Sequence, residues 1–339
     1  MNISKNSGIP HRRNGGTVTV IAEGRVNPGE VSRDGQSVVY GEFKPGQGET
    51  VHRWQNGESI QLNTDGHSSY QARCNEDASV VVFHRYSLED ASDENGNWDI
   101  GKWEDGRVET VASGPTDEAS PDIDDSGQTI VYDKMNETDS KTKIMRWKNG
   151  ETQAISDGKS LDLFAEVSGD GERIIWRRDI NDLYLQDQNG VNKPISIEGQ
   201  GAASVMLDQQ GDKILYASRD KDGDQDLFLK DLSDSSTIAV SAIKGMDEYN
   251  GYLSGDGQSV VFTGIDRRKE VPDMNLYVWN QGNTEQLTWN DGSFHDHASI
   301  SHDGSAISWF SVDLEKTSER KVLLWQKDES PDSKSVTPE

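Results

Sequence analysis

The nine residues Ser168–Trp176, SGDGERIIW, join a tight turn to a short apolar strand, and six other stretches repeat them in phase. These are SRDGQSVVY ending at Tyr40, NEDASVVVF at Phe83, DDSGQTIVY at Tyr132, DQQGDKILY at Tyr216, SGDGQSVVF at Phe262 and SHDGSAISW at Trp309. Count from the first residue of each two-residue turn: Asp34, Asp77, Ser126, Asp170, Gln210, Asp256 and Asp303. The fourth residue on is always Val or Ile, and the sixth is always aromatic. Side chains two apart on a strand share a face, so the pattern writes one buried strand face seven times. The second turn residue is glycine in six copies and Ala78 in the other, as a hairpin turn with positive φ prefers.

Those second turn residues (35, 78, 127, 171, 211, 257 and 304) are separated by 43, 49, 44, 40, 46 and 47 positions, the spacing of four-stranded blades. A second strand follows each anchor and usually ends in tryptophan before a turn: Trp54, Trp103, Trp147, Trp279 and Trp325. Blades 4 and 5 carry LYLQDQNG and LFLKDL there instead. A short polar and apolar strand comes next, so each unit reads as an antiparallel meander A-B-C-D. After Trp325 the tail QKDESPDSKSVTPE offers no fourth strand, whereas Asn14–Gly24, NGGTVTVIAEG, aligns with the D strands DGRVETVASG and NGETQAISDG. The expected fold is all-β: a seven-bladed β-propeller of four-stranded antiparallel blades over residues 14–328, the last blade closed by the N-terminal strand. Residues 1–13 and 329–339 are read as tails. Closure removes two sheet edges that would otherwise recruit other strands.

Composition agrees with many short strands joined by turns: of 339 residues, 32% are hydrophobic, 28% charged and 33 are glycine. Sixty acidic against 34 basic residues give a formal net charge of -26, which repels phosphate backbones and anionic lipid. Nucleic-acid and membrane partners are therefore disfavoured. The lone Cys74 rules out an intramolecular disulfide. Residues 1–16 lack the apolar core of a secretory signal, and no apolar run is long enough to span a bilayer. A soluble, cytoplasmic monomer is the expectation, with export by a route that reads a polar N-terminus as the alternative.

The seven anchors resemble the TolB-type propeller repeat, S-P-D-G followed by a β-branched residue and an aromatic, over about residues 14–328. The family's proline is absent from every copy, its place held by Arg33, Gly169, Gly255 and His302 among others. The resemblance implies binding of proteins or small ligands on one face. Propellers host unrelated chemistries, so function must be argued from the site.

In this meander the A–B and C–D turns share one rim, and the D–A and B–C connections share the other. The A–B turns keep one length. The B–C connections vary, being long at Arg85–Asn97, Asp133–Thr142 and Gly264–Met274 and short at Arg177–Asn181. Uneven loops on a regular scaffold are where binding usually resides. Strand A should line the channel, and six and seven positions before the turn blades 2, 6 and 7 place polar and aromatic residues. Tyr70, Gln71, Tyr249, Asn250, His295, Asp296 and His297 are thus the candidate ligand-binding set, for a protein, small-molecule or carbohydrate ligand. Packing within the channel is the rival reading.

Two B–C loops carry acidic runs: Asp93, Asn95, Asn97 and Asp99 around Gly96, and Asp220, Asp222, Asp224 and Asp226 around Gly223. Alternating oxygens around a glycine turn suit calcium, although no EF-hand glutamate follows. The same residues also make ordinary solvated turns. Phe294-His295-Asp296-His297 places two histidines two apart, facing one way if the strand is regular, as a candidate pair of metal ligands. Here the resemblance is to propeller-fold pectate-type lyases, in architecture and in this H-x-H only. No G-x-S-x-G, P-loop, H-E-x-x-H or C-x-x-C occurs. Two functions follow: a non-enzymatic binding propeller, with no certain cofactor, or a metal-assisted carbohydrate lyase or hydrolase using His295 and His297.

Overall fold

The computed structural model describes residues 15–87, 96–179, 181–219, 221, 223–241, 243–270, 274–289 and 292–328. Among these, 28 strands form seven four-stranded antiparallel sheets, and no helix is long and apolar enough to cross a membrane. Six sheets are uninterrupted meanders. The seventh runs Gly16–Gly24, Arg320–Lys327, Ala306–Asp313 and Ser293–Ile300, so the N-terminal strand completes the last blade through eight register pairs. The first strands of successive sheets contact one another around the ring. The protein is a seven-bladed β-propeller, closed as the sequence pattern requires.

The repeated motif is a hydrogen-bonding device. Two residues before each turn stands a buried acceptor, Ser32, Asn75, Asp124, Ser168, Asp208, Ser254 or Ser301. In each blade it takes the backbone N–H of the residue five positions on, from Ser37, Val80, Thr129, Arg173, Lys213, Ser259 and Ala306, at 2.8–3.0 Å. Ser, Asn and Asp are interchangeable here because each offers an oxygen at short reach. The acceptor fixes the hairpin, and the hairpin aims the next strand. All seven Val/Ile residues at the fourth position are 0% exposed, and no aromatic at the sixth exceeds 4%.

Those side chains build seven separate cores, each shared by two adjacent blades. Val39, Val51 and Leu62 of blade 1, for example, pack on Cys74, Val81, Phe83 and Trp103 of blade 2. A blade alone would leave half of each core in water, so closure of the ring is needed for burial. Backbone bonds add a second tie at the turn rim. One links every blade to the next: Asp34 N–H to Glu76 O, Glu76 to Asp125, Asp125 to Gly169, Gly169 to Gln209, Gln209 to Gly255, Asp256 to His302, and His302 to Arg33. Five of these donors occupy the position where the resembled repeat has proline. Proline has no N–H, so it could not make this ring.

Two predictions follow from closure and burial. Deleting residues 1–24 strips the partner from Arg320–Lys327 and should lower the melting temperature by well over 10 °C or prevent folding, on the order of several kcal/mol at about 2–4 °C each. Gly16→Val should do the same more mildly, since a Cβ there would lie 2.1 Å from Trp325 Nε1. An unchanged melting temperature for both, by calorimetry, would contradict the closure.

The second prediction concerns pH. Burial pushes the carboxyls of Asp133 and Glu248 up to about 7 and that of Asp122 to about 6. The folded protein therefore holds protons that the unfolded chain releases near pH 4. This stabilisation is present below about pH 4 and is lost as pH rises through 6 to 7. Asp266 and Asp296, held at about 2, act oppositely only as pH falls well below 4, and His52 and His84, which burial lowers to about 4, offset part of the decline up to about pH 6.5. The melting temperature should decline by a few degrees between pH 5 and 8, and Asp133→Asn should flatten part of that slope. A rise over the same range would contradict it.

Candidate functional site

The two ends of the channel differ. At the turn rim, Arg33 Nε pairs with Asp125 Oδ1 at 2.7 Å, and Gln209 Nε2 donates to Asp125 Oδ2. These residues come from blades 1, 3 and 5, so their side chains reach across the axis and plug it. The two glycines at the equivalent position make room. A Cβ on Gly169 would lie 2.2 Å from Asp125 Oδ2, and one on Gly255 would lie 2.5 Å from His302 Nδ1. The residues that replace the family's proline thus close one end of the channel, while the other end opens as a cavity of about 610 Å³ at the loop rim.

The cavity wall is shaped by a bulge repeated in every first strand. Pairing with the second strand slips between Asn27 and Glu30, Tyr70 and Arg73, Ala119 and Asp122, Leu163 and Glu166, Gln200 and Ser204, Tyr249 and Tyr252, and Asp296 and Ser299. In five blades the residue six before the turn adopts φ of 48–55°: Gln71, Ser120, Phe164, Asn250 and His297. A left-handed residue costs strain and frees its N–H from the ladder. In blades 3 and 4 the neighbouring blade takes up that N–H: Ser120 donates to His84 Nε2, and Phe164 to Asp133 Oδ2 at 3.1 Å.

The bulge decides which candidates meet. Tyr70, Gln71, Asn250 and His297 line the cavity. Tyr70 stands edge-on to His84 and Trp98, with ring centroids 4.9 and 4.7 Å away. Tyr249 is outside the lining and donates to Asp247 Oδ2 at 3.1 Å. Asp296 acts as a bracket: its Oδ1 accepts Asn250 Nδ2, Thr263 Oγ1 and the His297 N–H, and its Oδ2 lies 2.9 Å from His297 Nδ1. Burial works to raise the Asp296 carboxyl, but these donors outweigh it and hold it at about 2, while the ion pair raises the His297 imidazole. His295 does not join them. It is 1% exposed, whereas the His297 side chain is 55% exposed in the cavity. The two imidazoles thus sit in different environments, and the left-handed backbone at His297 interrupts the regular alternation on which the expectation of a shared face rests.

The floor was not anticipated. Four positions before the turn stand Glu30, Arg73, Asp122 and Glu166, followed by Met206, Tyr252 and Ser299 in the last three blades. Several of these acceptors stitch the ring, receiving an N–H from the next blade. Cys74 donates to Glu30 Oε2 at 3.0 Å, Val167 to Asp122 Oδ2 at 2.8 Å, and Val31 to Ser299 Oγ at 2.8 Å. Glu30 Oε1 also takes the Tyr252 hydroxyl. Burial raises Glu166 well above the usual carboxylate range, and Asp122 beside it adds to the effect. Burial opposes the Arg73 charge, but Glu30 and Glu166 nearby keep it protonated. The signal was in the sequence: four successive blades carry a charge at one register position of a buried strand.

The acidic runs are partly visible. Asp93, Asn95, Asp220 and Asp222 lie outside the described residues. Asp224 pairs with Arg267 and accepts the Gly245 N–H at 2.9 Å, and Asn97 donates to the carbonyls of Gly114 and Thr116. Asp99 and Asp226 are buried within strands. Among the described residues no group of three or more His, Cys, Asp or Glu is placed to hold a metal.

No family model and no curated protein sequence matches the chain. Solved structures match in shape. An oligogalacturonate lyase in complex with manganese superposes with a TM-score of 0.70 at 15% identity, covering 94% of this chain and 95% of that one. The oligogalacturonate lyase of Vibrio parahaemolyticus gives 0.69 at 13% identity, covering 91% and 93%. TolB from Acinetobacter baumannii gives 0.53 at 14% identity, covering 88% of this chain and 66% of that one. At these identities the likeness shows the β-propeller fold alone.

Proposed function

We propose that the chain is a non-enzymatic binding propeller that takes a small polar ligand into the channel from the loop rim. The observation that carries this reading is the asymmetry of the channel: side chains from three blades plug one end, and the other opens into a cavity with aromatic and polar walls. Phe164, 47% exposed at the mouth with the Arg177 guanidinium 5.2 Å from its ring, and Tyr70 supply apolar surface. Gln71, Asn250 and the bracketed His297 supply directional donors and acceptors. Rigid rings and fixed amides bind at small entropic cost.

The lyase neighbours motivate a rival, a metal-assisted lyase or hydrolase acting on carbohydrate. That chemistry would need His295 and His297 on one ion, and their different environments favour binding instead. A thermal-shift screen of amino acids, sugars, sugar acids and nucleosides, followed by calorimetry, tests the reading. Tyr70→Ala and Phe164→Ala should each weaken a hit by about tenfold, roughly 1.4 kcal/mol, without altering the circular dichroism. Gln36→Ala and Gln258→Ala on the turn rim should change nothing. Loss on the turn rim with retention on the loop rim would place the site on the wrong face, and turnover of a hit would favour the enzyme.

A further inference from the structure

The cavity floor combines a guanidinium and a carboxyl, those of Arg73 and Glu166, that make no hydrogen bond or ion pair with another described residue, although acids surround the guanidinium at longer range. The Arg73 guanidinium has acids around it, yet it makes no hydrogen bond or ion pair with another described residue. The reason is geometric: Glu30 spends both oxygens on the Cys74 N–H and the Tyr252 hydroxyl, and Asp122 turns Oδ2 to the Val167 N–H. Arg33, the other cation near the axis, is bound to Asp125. Glu166, across the same floor, likewise has no hydrogen bond or ion pair among the described residues. Both side chains line the cavity. An unpaired guanidinium and an unpaired carboxyl enclosed together are costly to a fold and ready for a ligand.

Resting on the cavity reading above, we propose that the floor recognises a zwitterion, a free amino acid or short peptide whose carboxylate pairs with Arg73 and whose protonated amine pairs with Glu166. Charge decides against the simpler ligands. A plain anion would reach Arg73 only by sitting among Glu30, Asp122 and Glu166, and a plain cation would leave the guanidinium fork empty. A molecule carrying both charges satisfies both groups. Having no net charge, it also approaches a protein of formal net charge -26 without long-range repulsion. Guanidinium binds carboxylate through two parallel bonds, so lysine is a poor substitute at that position. The high proton affinity that burial gives Glu166 would fall when an ammonium arrives, so binding should release a proton and strengthen as pH rises above the ordinary carboxylate range.

The test is calorimetry on the full chain with the twenty free amino acids and a set of alanyl dipeptides, each beside its N-acetyl and C-amide forms. At least one zwitterion should bind, and both capped forms should bind it at least about tenfold more weakly. Arg73→Lys should reduce affinity and the preference over the C-amide. Glu166→Gln, which removes the buried titratable group at nearly constant volume and so should fold, should abolish the preference over the N-acetyl form. The free amino acids and dipeptides separate the two sources of such a zwitterion. Failure of every zwitterion to bind, equal binding of capped and uncapped forms, or indifference to both substitutions would overturn the proposal. A neutral sugar that binds in a Tyr70-dependent way while zwitterions do not would overturn this inference and leave the cavity reading standing. No binding dependent on Tyr70 or Phe164 would remove both.

Discussion

A single buried oxygen, two residues before each A–B turn, governs the geometry on which everything else in this protein rests. Ser, Asn or Asp at that place accepts the N–H five residues later in all seven blades. Each bond contributes only about 0.5–1.5 kcal/mol net, but leaving the buried N–H unmet would cost more. With the hairpin locked, the preceding residue stands at the channel axis with its backbone turned to the next blade. The ring of inter-blade bonds and the seven shared cores then follow from one repeated constraint. Every core is shared, so opening the ring at any blade junction would expose one of them to water.

The fold was legible because a propeller repeats its signal. The Val/Ile and aromatic positions, the turn glycines and the donated N-terminal strand are each written in phase along the chain, and burial of the seven anchors follows the written face without exception. The site was legible only in part. Register counting brings Tyr70, Gln71, Asn250 and His297 to the cavity wall, since position relative to the turn is fixed by geometry. His295 and Tyr249 lie outside the cavity lining, on strands whose pairing slips at the bulge. In five blades the bulge places a residue at φ near 50°, and Gln, Ser, Phe, Asn and His share no compositional mark that would announce it. The floor is written more plainly: Glu30, Arg73, Asp122 and Glu166 stand at one register position of the channel-lining strands, and four charges there call for a shared enclosed space.

The departure from the TolB-type motif gains a physical meaning here. Where the TolB-type repeat has proline, this chain has residues that supply an N–H to the inter-blade ring or a side chain that crosses the axis. Arg33, Asp125 and Gln209 close the turn rim, with Gly169 and Gly255 kept small around them. A channel with a floor differs from an open tunnel: it can hold a small solute against fixed charges. The uneven loop rim, the exposed Phe164 and the bracketed His297 surround the remaining entrance.

On the reading proposed above, the channel is a one-ended ligand site with its floor as the recognition surface. A crystal structure of the protein grown with the strongest calorimetric hit tests it most directly. The account predicts solute density inside the channel, entered from the loop rim, with atoms within hydrogen-bond distance of the Arg73 guanidinium and the Glu166 carboxyl. Density on the turn rim or on the outer faces of the blades, with only water against Arg73 and Glu166, would contradict it.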